Sequence, residues 1–367
     1  VGNNVSTPAS TTILVNTSGY LCVSKWGKPG RGASLLHGGE FMAPMYGLCV
    51  DQQGSLFAVD NGNNRVQKFD NAGNFIILWG SFGSANSNFH NPTGIACDGK
   101  GDVWVVDTNN HRVQKFGPDG KFLAKWGDFI DLGDANAAND PNRDSKFYGP
   151  RGVAVDAAGN VYATDTGNHR IQKFDSTGNF LAQWGSEGTG DGQFVRAIGI
   201  AADSDGNVYV TDDGNPFVQK FDNNGEFLMK WGGLGSGDGQ FSHATGIGVD
   251  GAGNVFVADY ENRRVQKFDA QGGFVASWGM GGDIGVTGTP EGIAVDSHGR
   301  VYVTDYGLGR IQVFDNDGNA LWTLGTDSVS KSLFHKPTTI ALDEAHGTFL
   351  VVNQASNSVQ VFQLPQP

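Results

Sequence analysis

GVAVDAAGNVYATDTGNHRIQKFDSTGNFLAQWG, residues 152–185, is the stretch whose reading decides the fold. It holds four short runs, Gly152–Asp156, Val161–Asp165, Arg170–Phe174 and Phe180–Trp184. Each is rich in β-branched or aromatic residues and has the length of a strand. Between them lie AAGN, TGNH and STGN. Gly tolerates positive φ, and Asn and Asp side chains bond back to their own backbone, so these clusters read as tight turns. The unit is a four-stranded antiparallel meander, and one such sheet cannot bury both of its faces alone.

The rest of the chain repeats it. Complete units begin at Gly47, Gly94, Gly152, Gly199, Gly246 and Gly292, and their third strands read RVQKF, RVQKF, RIQKF, FVQKF, RVQKF and RIQVF. A last unit, residues 339–362, supplies three strands and stops. At the other end TSGYLCVSKWG, residues 17–27, matches the fourth-strand segment STGNFLAQWG. A spare fourth strand at one terminus and a missing one at the other predict a ring in which residues 20–27 pair with the blade formed by 339–362. Closure removes the exposed edges of an open array. A linear solenoid would need distinct capping repeats, and none is visible. The fold class is therefore all-β, a seven-bladed propeller of four-stranded blades, with six blades as the alternative. Residues 1–19 are expected to be a leader, 20–362 a single propeller and 363–367 a tail or the start of a linker.

Composition bounds the function. The net charge is −13 with 25 basic residues, which opposes nucleic-acid partners. No apolar run has the length of a membrane span. The chain begins with Val rather than Met and carries sequons at Asn4 and Asn16, so a processed chain, secreted or at the cell surface, is expected. Cys22, Cys49 and Cys97 are an odd number and read as buried small hydrophobes. A Cys49–Cys97 disulfide is disfavoured. The two occupy adjacent positions of the repeat register, whose side chains point to opposite faces.

Comparison of the units separates scaffold from decoration. Asp60, Asp107, Asp165, Asp212, Asp259 and Asp305 end second strands, and Arg65, Arg112, Arg170, Arg264 and Arg310 open third strands. Residues repeated in this way are expected to tie strands or blades together. The Trp-Gly pairs are expected to fill the wedge between blades, Phe41, Phe89, Phe147, Phe194, Phe241 and Phe334 to anchor connectors, and the repeated lysines to be spread around the ring. Candidate binding residues are those that break the repeat on the face where first strands begin and second strands end. They are Arg151, Arg196, His243, Glu291 and Lys336 before first strands, and Asp213, Tyr260 and Tyr306 after second strands. Phe217 joins them because TDDGNPFVQKF places it where an arginine is expected. The connector Asp128–Pro150 carries Asp128, Asp131, Asp134, Asp140 and Asp144. It reads as a solvated acidic loop overhanging the same face. Calcium at Asp128, Asp131 and Asp134 is the alternative, since calcium takes clustered oxygen ligands.

The pattern GIAVD, NVYVTD, NHRIQKFD and WG, with GSGDGQF-type connectors, resembles the NHL repeat over about residues 20–362. NHL propellers most often have six blades, so seven would be a departure. The resemblance also brings in the peptidyl-hydroxyglycine amidating lyases, which hold zinc with histidines beside first strands. The matching slots here are Met45, Thr93, Arg151, Ile198, Thr245, Glu291 and Thr338, none of them His. Zinc and lyase activity are therefore not expected, and RNA-binding relatives are opposed by the acidic charge. The reading favoured is an extracellular, non-catalytic binding or assembly module with no cofactor, recognising a protein or a polar or glycan ligand, and a larger assembly is a further expectation. The alternative is a lyase or hydrolase-type propeller enzyme with a metal in the channel.

Overall fold

A computed structural model describes residues 14–15, 21–26, 28–30, 39–43, 45–127, 146–279, 288–325 and 334–364. They form seven blades around a channel. Blades 1 to 6 are four-stranded antiparallel sheets spanning residues 48–79, 92–126, 153–184, 197–232, 244–279 and 290–324. In blade 7, strands Pro337–Asp343, Thr348–Asn353 and Ser358–Gln363 run outward, and Leu21–Trp26 completes the sheet. The closing pair is antiparallel, with Lys25 opposite Gln360 and Trp26 opposite Val359. Leu14–Val15 adds a short fifth strand outside it. The fold is thus seven-bladed rather than six-bladed, and the two termini meet in one sheet as the strand count requires.

Local chemistry accounts for the strand ends. In blade 3 the strands are Val153–Val155, Val161–Asp165, Arg170–Phe174 and Phe180–Trp184. Gly159 and Gly178 adopt positive φ in the first and last hairpins. In TGNH the left-handed residue is His169, at φ 56°, and not the glycine. Gly167 is needed there for space, because a Cβ would lie 2.6 Å from the carbonyl of Tyr148.

The core is divided into seven layers, one per pair of neighbouring blades. The layer between blades 2 and 3 joins Trp104, Val106 and Val113 to Val161, Ala163 and Phe174. Second strands such as Val161–Asp165 are buried along their whole length, because both of their faces are covered by neighbours. Trp79 of blade 1 packs 5.5 Å from Phe116 of blade 2, and this contact recurs around the ring, as in Trp184–Phe221 at 5.7 Å. The connector phenylalanines are buried on third-strand phenylalanines, as in Phe89–Phe116 at 5.7 Å and Phe241–Phe268 at 5.6 Å. Each repeated lysine reaches forward to a hairpin of the next blade. Lys68 donates to Pro118 O at 2.8 Å, Lys220 to Ala270 O at 3.2 Å and Lys267 to Asn316 O at 2.9 Å. They staple blades together and form no basic patch.

This layered packing overturns the expectation for the cysteines. Cys49 and Cys97 form a disulfide, with Cα atoms 5.8 Å apart. They do point to opposite pleat faces, Cys49 pairing with Phe57 and Cys97 with Val103. They also belong to neighbouring blades, and the front face of one blade packs on the back face of the next. Residues of opposite parity are therefore brought together, as Cys49, Phe57, Val103 and Cys97 are in one layer.

The glycines that open the inner strands have a different purpose from those in turns. Ideal Cβ atoms on Gly47, Gly94 and Gly199 would lie 2.6, 2.5 and 2.7 Å from the carbonyl oxygens of Thr93, Arg151 and Thr245 in the next blade. At Gly152, Gly246 and Gly292 the clash with Ile198, Glu291 and Thr338 would be closer still. Blade 7 has Thr339 in this place, and its hydroxyl donates to Tyr46 O. Second-strand threonines seal the same seam: Thr304 accepts from Gly292 N at 2.8 Å and donates to Thr338 O at 3.0 Å. Gly246→Ala is expected to cost about 3 kcal/mol, since neither backbone can retreat without opening the ring. Gly251→Ala, where nothing lies within 4 Å, is the control expected to be neutral. Paired urea titrations would check both.

Candidate functional site

The face that matters is where first strands begin and second strands end, since Pro92 opposes Asp107 and Pro290 opposes Asp305 across the strand pair. It is built on a buried frame. Asp165 is fully buried and accepts from Arg170 Nε at 2.7 Å, Tyr148 N at 2.7 Å, Asn168 Nδ2 at 2.9 Å and Gln172 Nε2 at 2.9 Å. Arg170 in turn donates to Lys146 O at 2.6 Å. The hub thus joins the second strand, the third strand and the arriving connector. It recurs at Asp60–Arg65, Asp107–Arg112, Asp259–Arg264 and Asp305–Arg310, at 2.7 to 3.0 Å. These repeated carboxylates are scaffold.

Two blades solve the same problem without the ion pair. In blade 4, Asp212 is capped by backbone N–H groups, Val195 at 2.7 Å, Arg196 at 2.6 Å and Gly214 at 3.2 Å. In blade 7, Asn353 replaces the aspartate and donates to Gln360 Oε1 at 2.6 Å, with Ser358 in the arginine position.

The residues that decorate this frame fall into groups. Asp213, in blade 4, lies between Arg196 of its own blade and His243 of blade 5 and contacts both side chains. Tyr260 packs edge-on to His243, with ring centres 5.7 Å apart. Tyr306 of blade 6 lies beneath Lys336, whose Nζ is 5.2 Å from the ring centre. Glu291 lines the channel with Tyr46, Thr245, Thr338, Ile198, Ile247 and Ile293. Arg151 sits across the channel in a cavity of about 360 Å³, beside Asn91, Asn109, Thr93 and again Tyr46. Phe217 stands apart. It lies under Lys230 at 5.0 Å, and Lys230 bonds Asp191 and Thr189 O in the connector, so Phe217 belongs to the outer half of blade 4.

The register of the channel residues also needs one adjustment. The residue preceding the inner glycine is Tyr46 in blade 1, whereas Met45 is fully buried. Tyr46, Asn91 and Asn109 were not singled out by the sequence reading. Taking the residue before Gly47, as Arg151 precedes Gly152, finds Tyr46. Asp128, Asp131, Asp134, Asp140 and Asp144 lie outside the described residues. Among the described residues no group of three or more His, Cys, Asp or Glu side chains is placed to hold a metal ion. No helix among them is long and apolar enough to cross a membrane.

Burial pushes the Glu291 carboxyl up to about 7 from its ordinary 4.5, opposed in part by His243. The folded chain then holds a proton that the unfolded chain releases. This contribution to stability is fully present below pH 4.5 and is lost as pH rises through about 7. Glu291→Gln, which cannot titrate, is expected to flatten the stability profile over that window by about 3 kcal/mol, as urea titrations at several pH values would show.

Five stretches of the chain, residues 47–69, 89–116, 147–174, 241–268 and 287–314, match the NHL repeat. They are the stretches of blades 1, 2, 3, 5 and 6, which carry the Asp–Arg pair. Protein lin-41 of Caenorhabditis elegans is 49% identical over 51 residues, which is 14% of this chain and 4% of that protein. Among solved structures, a streptogramin B lyase has a TM-score of 0.67 at 14% identity, covering 88% of this chain and 93% of the other. Virginiamycin B lyase from Staphylococcus aureus has a TM-score of 0.66 at 12% identity, covering 88% and 95%. At such identities the likeness to the lyases is one of fold. The five matched stretches are NHL repeats, and the ring in which they stand is a seven-bladed β-propeller.

Proposed function

We propose that the chain is an extracellular binding module that recognises a protein or a polar or glycan ligand through the channel face. NHL propellers commonly serve protein interaction. The observation that carries the reading is a contrast within each blade. The Asp ending the second strand is the same in six units, while the residue immediately after it is Asn61, Thr108, Thr166, Asp213, Tyr260, Tyr306 or Gln354. The frame is constant and the surface it presents is not. Tyr and Arg on that surface offer large contact area and directed hydrogen bonds. The Cys49–Cys97 bridge supports an oxidising compartment.

The test selects ligands for the full chain from a displayed peptide library and a glycan array. Tyr260→Ala combined with Tyr306→Ala is expected to weaken the selected ligands at least about tenfold, with the melting temperature nearly unchanged. Leu181 and Leu228 are exposed on outer strands, and Leu181→Asp with Leu228→Asp is expected to leave binding intact. The opposite pattern would move recognition to the outer rim.

A further inference from the structure

At the layer where inner strands begin, each blade contributes the residue whose carbonyl meets the neighbouring glycine or Thr339. Only two of these seven positions carry a carboxyl or a guanidinium, Glu291 in blade 6 and Arg151 in blade 3. Two blades lie between them one way round and three the other, so they stand on nearly opposite walls of the channel. Every arginine at the start of a third strand is paired with an aspartate, as Arg112 is with Asp107 at 2.7 Å. Arg151 and Glu291, by contrast, make no side-chain hydrogen bond or ion pair among the described residues. Tyr46 lines the cavity on both sides. Asn91 and Asn109 stand next to Arg151, and Ile198, Ile247 and Ile293 form apolar wall beside Glu291.

An unpaired guanidinium and an unpaired carboxyl, too far apart to satisfy each other, are complementary to a molecule with a carboxylate at one end and an ammonium at the other. We propose that the channel mouth binds a zwitterionic small molecule, with its carboxylate at Arg151, its ammonium at Glu291 and its apolar body against the isoleucines. A guanidinium with amides beside it suits a carboxylate, and a desolvated carboxylate gains most from an ammonium. This rests on the channel face being the recognition surface and narrows what it recognises.

The test uses ω-amino acids of increasing length, from β-alanine through γ-aminobutyrate and ε-aminocaproate to longer homologues, titrated into the full chain by saturation-transfer NMR. Affinity is expected to peak at one chain length, because the walls hold the two charges at a set separation. The n-alkylamine and n-alkanoate of that length are expected to bind about tenfold more weakly or worse. Glu291→Gln should erase the preference over the alkanoate, and Arg151→Gln the preference over the alkylamine. The length series on the unaltered chain decides the matter even if a variant folds poorly. Binding with no length optimum, binding that survives both substitutions, or no binding of any homologue would overturn the proposal. If selected ligands still depend on Tyr260 and Tyr306 in that event, the zwitterion site fails and the broader reading stands.

Discussion

Asp165→Ala is expected to destabilise the chain by about 3–5 kcal/mol, the cost of leaving a buried partner charge uncompensated. The carboxylate is fully buried and receives Arg170, Tyr148 N, Asn168 and Gln172. Its loss strands Arg170, which is itself buried, and frees the connector that enters the blade. The chain supplies its own comparison. Blade 7 fills the same place with Asn353, Ser358 and Gln360 and no charge. Asp165→Asn with Arg170→Ser copies that arrangement and is expected to recover more than half of the loss. Urea unfolding followed by Trp fluorescence would measure both. If the single and double variants were equally unstable, the stranded charge would not be the cause.

Deleting residues 1–27 is expected to cost more than any point substitution. The strand Leu21–Trp26 is the fourth of blade 7 and joins the N-terminal end of the chain to the sheet of its C-terminal end. Without it Ser358–Gln363 becomes an edge whose N–H and C=O groups face solvent and can pair with other chains. Blade 7 also meets its neighbours without two of the devices used elsewhere. Val313 and Val361 stand where blades 1 to 5 have the stapling lysine, and Thr339 replaces the inner glycine. The truncated chain is therefore expected to aggregate or to melt well below the full chain, as light scattering during a thermal ramp would show. Adding residues 14–30 as a separate peptide should partly restore the melting temperature. A truncated chain as heat-stable as the full one would mean that the strand contributes nothing to closure.

How much of this was legible beforehand follows from the range of each interaction. The second, third and fourth strands of blade 3 begin and end where the repeat places them, and the surplus and deficit of fourth strands at the two termini were enough to count seven blades and close the ring. Those features depend on turn chemistry and on the alternation of side chains along a strand, both of which act over a few residues. The roles of Phe89 and Trp79 and the even spread of the lysines could be read because these residues recur, whereas the bond from each lysine to the next blade could not. What could not be read lies between blades. Cys49 and Cys97 were set apart by parity and are joined, because the ring packs the front of one sheet on the back of the next. The inner glycines are legible in the sequence only as the residues that open each unit, and they serve the approach of a neighbouring carbonyl. Arg196, Asp213 and His243 are scattered over three segments and meet only at the blade 4–5 seam, while Phe217, grouped with them by irregularity alone, sits on the outer strands. The repeat period by itself determined the elements, their number and their closure. Only the tertiary structure decided which residues face one another across the seams and the channel, because that depends on the rotation from blade to blade, which no local spacing records.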